Sequence, residues 1–180
     1  MSTKLIDRDL GWKEFVQNVA RMGDARVKVG VMDDGEDYPE GITVAEVAAI
    51  NEFGTEDGRI PERSFLRSTF DEKREELLVL AEMLTQRILF GKSTVEDAMN
   101  VLGATLASAI KKTIADGVDP PNAESTARRK AATGKTAKYF NKPAETLGDA
   151  LAQVGALAAV KPLVDTGRLM GSITWAVEKK

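Results

Sequence analysis

Histidine and cysteine are both missing from this sequence of 180 residues. The first absence removes the usual general base near neutral pH and the commonest metal ligand. With both gone, Ser–His–Asp and Cys–His catalysis and Cys/His zinc sites cannot be built from this chain alone. Disulfide cross-links are excluded too, and the thiol content marks no redox compartment. Carboxylates, lysines, tyrosines and hydroxyls remain, so the expectation is a protein that is no enzyme and uses no cofactor and no metal. Long apolar runs are also lacking. None nears the roughly 18 residues that span a bilayer, and no membrane partner is expected. Residues 1–9 are polar and mixed in charge, unlike a secretory signal.

Charge is missing in blocks. No basic residue falls between Lys28 and Arg59, where Asp33, Asp34, Glu36, Asp37, Glu40, Glu46, Glu52, Glu56 and Asp57 stand. No acid falls among Arg128, Arg129, Lys130, Lys135, Lys138 and Lys142. Residues 1–90 carry 12 basic and 19 acidic side chains, a balance of −7; residues 91–180 carry 13 and 9, a balance of +4. Two solvated loops would account for this. Complementary patches, within or between subunits, would account for it equally. On that second reading Asp33, Asp34, Asp37, Arg128, Arg129 and Lys130 form a charged interface.

What is present reads as one folded domain over residues 1–180, with 43% hydrophobic and 29% charged residues. Trp12, Phe15, Val16 and Val19 recur at helical spacing before Gly23, which predicts a helix over 9–22. Val27, Val29 and Val31 alternate, so a strand is expected near 26–32. Thr43 with Glu46 makes a capping box for a short helix that Gly54 ends. A long helix, about 64–90, follows, with Leu66, Phe70, Leu77, Leu80, Leu84 and Ile88 as its apolar stripe. Ser93 with Glu96 opens the next, about 94–116, whose stripe is Val95, Met99, Leu102, Leu106, Ile110 and Ile114. The short break at Gly91 makes the two a helical hairpin.

Residues 128–142 have little apolar content and are expected to be exposed. A weak helix is predicted over 144–160, with Leu147, Leu151, Val154 and Leu157 on its apolar side. Ile173, Trp175 and Val177 alternate again, giving a closing strand near 172–178. The fold class expected is α+β, a small antiparallel sheet of the two end strands packed on the hairpin.

Three local patterns invite a chemical reading, and each falls short. Gly91-Lys92-Ser93 and Gly134-Lys135-Thr136 look like the end of a phosphate loop, but the earlier glycine is replaced by Gln86 and Arg129. The cluster Asp33-Asp34-Gly35-Glu36-Asp37 lacks the spacing of a calcium loop. No set of carboxylates arrives from strand ends as a two-metal nuclease requires. The basic stretch, with Tyr139 and Phe140 to stack on bases, could touch nucleic acid, yet the chain as a whole is acidic.

Two longer phrases are more specific. One runs Val44-Ala45-Glu46-Val47-Ala48-Ala49-Ile50-Asn51-Glu52-Phe53-Gly54-Thr55, then Ile60-Pro61-Glu62-Arg63-Ser64-Phe65-Leu66-Arg67. The other is Pro162-Leu163-Val164-Asp165-Thr166-Gly167-Arg168-Leu169, leading to Ser172-Ile173-Thr174-Trp175. With the strand at Val27–31, these resemble the tail-completion, or head–tail joining, proteins of long-tailed bacteriophages. The resemblance covers most of residues 25–178. It departs at Ser64, where members often have proline, and over residues 131–161, which read as an insertion.

The resemblance implies a virion protein, assembled in the bacterial host cytoplasm, that forms a ring of usually six copies at the head–tail junction. Its partners would be other copies, the connector or head-completion protein, the tail terminator or the tail tube. DNA would pass through the lumen without sequence-specific binding. A tail-terminator ring is the alternative, and a nucleic-acid-binding accessory a further one. The residues expected to matter are Phe53, Gly54, Phe65, Asp165, Thr166, Gly167 and Trp175. Locally, Gly54 would stop a helix with Phe53 tucked under the turn, and Phe65 would be delivered to the core. Asp165 or Thr166 would cap the turn before Leu169.

Overall fold

The chain was studied as a computed structural model, which describes residues 9–23, 25–32, 41–133, 146–158, 163 and 167–179. Its elements, in chain order, are α1 (Trp12–Gly23), β1 (Ala25–Val31), α2 (Val44–Phe53), α3 (Leu66–Leu89) and α4 (Val95–Asp116). They continue with α5 (Glu124–Thr133), α6 (Leu147–Ala158), α7 (Arg168–Ser172) and β2 (Ile173–Lys179).

The architecture is α+β, with the small sheet lying against the long α3–α4 hairpin. β1 and β2 pair antiparallel, so that Val31 faces Ile173, Val29 faces Trp175 and Val27 faces Val177. That register places the alternating apolar residues of both strands on one face, which α4 covers. A bond from Met32 N to Ser172 O (3.0 Å) extends the ladder past the last strand pair.

Two clusters form the core. The larger contains Val44 and Ala48 of α2, Phe65, Ala107, Ile110 and Ile114 of α4, Leu169 and Ile173. Leu84, Ile88 and Ala98 make the smaller one near the hairpin turn, with Met22, Leu80, Val95 and Leu102 packed around it. Trp175 packs against the larger cluster, with the root of its indole against Gly103.

Helix boundaries follow the capping chemistry. Thr43 and Glu46 form the expected reciprocal box: Glu46 N donates to Thr43 Oγ1 (3.1 Å), and Thr43 N to Glu46 Oε2 (2.9 Å). The expected Ser93–Glu96 box is replaced by a simple cap one residue on. Thr94, extended at φ −81° and ψ 159°, accepts from Asp97 N (3.0 Å) instead. The Ser93 hydroxyl is turned to the Thr94 carbonyl.

Three helices carry apolar residues that depart from the expected inward face. On α3 the expected stripe holds at Leu84 and Ile88, which are buried, while near its start the inward residue is Thr69, whose hydroxyl donates to Phe65 O (2.6 Å) and meets Thr113 Oγ1 at 2.7 Å. Buried Phe65 sets the inward face, and Phe70, five residues on, is rotated about 140° from it and exposed. α1 rests on Phe15, Asn18 and Met22, with Asn18 Nδ2 donating to Ile88 O (3.1 Å). Its remaining apolar residues Trp12, Val16 and Val19 stay wet. Among the described side chains of α6, Leu151 is exposed as well and Ala156 is buried.

The start of the basic segment is helical where a loop was expected, with Arg128 and Arg129 exposed as expected. Arg128, Arg129 and Lys130 belong to α5, which buries Ala127 and Ala131 and packs on α6. Small alanines let two helices approach closely without a large apolar stripe, which is why composition alone reads as a wet loop. The boundary expected at 131 falls inside this helix. Residues 134–145 lie outside the described residues.

Candidate functional site

The first phrase folds into a single polar junction between α2 and α3. α3 starts at Leu66 with Phe65 in the cap position, so no side chain of its own satisfies its first N–H groups. Glu52, at the end of α2 and only 2% exposed, supplies the missing acceptor. Its carboxylate accepts from Phe65 N (2.8 Å), Leu66 N (2.9 Å) and Arg67 N (3.1 Å). Ser64 Oγ (2.8 Å) and Arg67 Nε (3.0 Å) complete five donors. A carboxylate at a helix N-terminus also meets the positive end of the dipole. Burial alone would raise its pKa, but the N–H groups of Leu66 and Arg67 with the two side chains outweigh that. The Glu52 carboxyl is held below its ordinary value.

Arg67 ties the junction to its surroundings. Its Nη2 donates to Glu52 O (3.1 Å) and Glu62 Oε1 (2.7 Å), and the guanidinium lies 4.8 Å over the Phe53 ring. Phe53 is therefore not tucked under the turn; it is exposed, with that cation over its ring. Gly54 is where the chain must reverse tightly: its φ of 73° and ψ of −175° suit glycine alone. A Cβ there would stand 2.8 Å from Glu62 N and 3.0 Å from Ile60 O.

Arg63, in the same phrase, crosses to the loop after α4. Its Nε donates to Pro120 O (2.8 Å) and its Nη2 to Pro121 O (3.1 Å). Beside it opens a cleft of about 460 Å³, lined by Arg59, Arg63, Lys130, Asn51, Ile60 and Leu163 among others. α2, α5, Leu163 and Leu169 contribute to its walls.

Of the other residues expected to matter, Phe65 is fully buried, and Gly167 takes a left-handed φ of 79° as the N-cap of α7. Trp175 is half-buried and donates from Nε1 to Asn100 Oδ1 (3.0 Å). Asp165 and Thr166 lie outside the described residues, and no side-chain cap bond is made at Gly167. Asp33, Asp34 and Asp37 lie outside them too. Arg128 and Arg129 are exposed on α5, and Lys130 is half-buried at the cleft.

The acidic block divides by use. Glu46 caps α2, Glu52 caps α3, and Asp57 closes a turn through Thr55 Oγ1 (2.7 Å), Arg59 N (3.1 Å) and an ion pair with Arg59. The Thr55 hydroxyl, then the Arg59 N–H, holds the Asp57 carboxyl below its ordinary value. Glu46 caps as its spacing predicted, while Glu52 and Asp57 take structural roles that the charge pattern did not show.

Composition missed Glu52, Arg63 and Gly103. Glu52 could have been found from the missing cap at α3; Arg63 and Gly103 carry no local signal. Gly91-Lys92-Ser93 occupies the α3–α4 turn with no strand before it, so the triplet makes no phosphate loop. Among the described residues no group of three or more acidic side chains could hold a metal ion, and no helix is long and apolar enough to cross a membrane. No protein-family model, curated protein or solved structure matches the chain.

Proposed function

We propose that this chain is a structural subunit of a long-tailed bacteriophage virion, forming a ring at the head–tail junction that completes the tail or connector and lets DNA through. It works by interface complementarity and performs no catalysis. The phrases that resemble the tail-completion family motivate the reading. The structural observation that carries it is the apolar surface left uncovered.

Leu10, Trp12, Val16 and Val19 line the outside of α1, and Leu78, Val79 and Met83 that of α3. Trp12 and Val79 are each 69% exposed. A separate patch lies around Arg67, where Phe53 and Phe70 flank two shallow clefts that share Leu66 and Arg67. Large apolar side chains left wet in groups mark contact surfaces. A closed ring of identical subunits needs two different patches on each copy, one to give and one to receive. Among the described residues each strand has one neighbour, so the sheet has two open edges that a further copy can extend.

Electron microscopy of the purified chain at high concentration is the test. Closed rings of one size with a central hole are expected. Monomers alone, at every concentration and with a neck-protein extract added, would overturn the reading.

A further inference from the structure

Among the described residues Arg63 is the buried cation, 6% exposed. A guanidinium carries five N–H bonds. Here Nε and Nη2 serve two backbone carbonyls, and no carboxylate lies within ion-pair distance. Every fully buried side-chain nitrogen among the described residues has a partner, so Nη1, which has none, meets open space. Burial lowers the Arg63 pKa, as it does for a cation stripped of water with no anion in exchange. The group stays charged at neutral pH all the same. A buried charge of this kind is costly until an anion completes it.

The adjoining cleft is suited to supply one. Arg59, itself paired with Asp57, and Lys130 line it with Arg63, and among the described residues no acid lines it. Asn51 and Thr126 add polar atoms, while Ile60, Pro61 and Leu163 add apolar wall. A duplex phosphate sits on a stiff, hydrated rod and brings no apolar contact into such a cleft. An extended peptide brings both a carboxylate and apolar neighbours, and the guanidinium fork matches a carboxylate in two parallel bonds.

We propose that the cleft beside Arg63 binds a carboxylate of an acidic peptide segment, and that this segment is residues 33–40 of a neighbouring copy. That stretch reads Asp33-Asp34-Gly35-Glu36-Asp37-Tyr38-Pro39-Glu40: five acids, no base, and Tyr38 with Pro39 for the apolar wall. The source in a neighbouring copy rests on the ring reading; the carboxylate site itself does not. Charge complementarity between the two segments sets register and speeds association.

The test uses the full chain with Asp33→Asn, Asp34→Asn, Glu36→Gln, Asp37→Asn and Glu40→Gln, so that its own segment cannot compete. A fluorescein-labelled peptide of the sequence 33–40 is titrated in and followed by anisotropy. Saturable binding is expected, weakened about tenfold or more by Arg63→Gln and lost when the peptide acids are amidated. Because Arg63→Gln also removes bonds to Pro120 and Pro121, Thr126→Glu is the companion: it seats a fixed carboxylate in the cleft and leaves those bonds alone. A melting curve checks that both fold. Equal peptide binding by Thr126→Glu and its parent overturns the proposal. So does a single-stranded oligonucleotide that binds in place of the peptide and is lost in the same variants, since the ligand is then a phosphate. Rings that assemble unimpaired from otherwise wild-type Thr126→Glu chains overturn the neighbouring segment as occupant and leave the ring reading intact. Arg63-dependent peptide binding by chains that never form rings keeps the carboxylate site and removes the neighbour as its source, together with the ring.

Discussion

Trp175 lies on Gly103 so closely that α4 has no room for a side chain there. A Cβ at Gly103 would stand 2.5 Å from Trp175 Cγ and 2.8 Å from its Cβ, and closer still to Cδ1. These are rigid atoms at the root of the indole, which cannot swing aside. Gly103→Ala should therefore destabilise the protein by about 1–3 kcal/mol through overpacking, even though alanine favours helix by about 1 kcal/mol. Trp175→Ala should cost about 2–4 kcal/mol, less than a fully buried tryptophan, because the residue is only half-buried. In the Gly103→Ala background Trp175→Ala, which removes Cγ and Cδ1, should cost less than it does alone. Additive losses in urea melts of the single and double variants would refute the contact.

Glu52 predicts a pH dependence. Its pKa in the folded protein lies below the ordinary 4.5. The unfolded chain therefore takes up the proton first as pH falls, and the stabilisation it contributes is full above the unfolded value. That contribution should disappear as pH drops from about 5 through the folded value. Glu52→Gln should cost about 2–4 kcal/mol at neutral pH by breaking a buried, hydrogen-bonded charge. It should also flatten the acid limb of the melting temperature below about pH 5. An acid limb as steep as that of the unaltered chain would remove Glu52 as its cause.

Gly54 combines a glycine-only backbone with a close approach. Gly54→Ala should cost about 1–3 kcal/mol from backbone strain alone, with the approach to Glu62 N adding to it. Gly54→Val should be worse, since a β-branched residue tolerates positive φ least. Gly58, also at positive φ but with open space around its Cα, separates the two effects: Gly58→Ala should carry the strain without the clash. Equal melting-temperature losses at both positions would show that the approach to Glu62 is unimportant.

The proposed role predicts a genetic outcome. A phage lacking this protein should build heads and tails separately and join few of them, and the wild-type chain supplied in trans should restore infectivity. Gly54→Val and Gly103→Ala should restore it poorly. Tails of unregulated length in the null phage would favour the tail-terminator role instead. Normal infectious particles would end both readings.

Much of the fold follows from local signals that need no partner. Alternating valines specify β1 and its inward face, and Thr43 with Glu46 specifies the start of α2, because each depends on residues two to four apart. The hairpin is legible for the same reason: two long apolar periodicities flank a break at Gly91, which takes φ 66°. Errors arose where a neighbouring element overrode local preference. Phe70 reads as core from its spacing, yet Phe65, buried by its contacts with the core cluster, sets the rotation of α3 and turns Phe70 out.

The sequence by itself determined which elements form, because hydrophobic period and capping are properties of short stretches, and it excluded histidine and cysteine chemistry outright. Only the tertiary structure decided what the polar residues of those stretches do. Glu52 and Asp57 sit five residues apart in one acidic block, and one caps a distant helix while the other closes its own turn. Arg63 became a buried cation because loop 54–65 carries it to Pro120 and Pro121, 57 and 58 residues away along the chain. Distances of that kind are set by packing, and no short stretch encodes them.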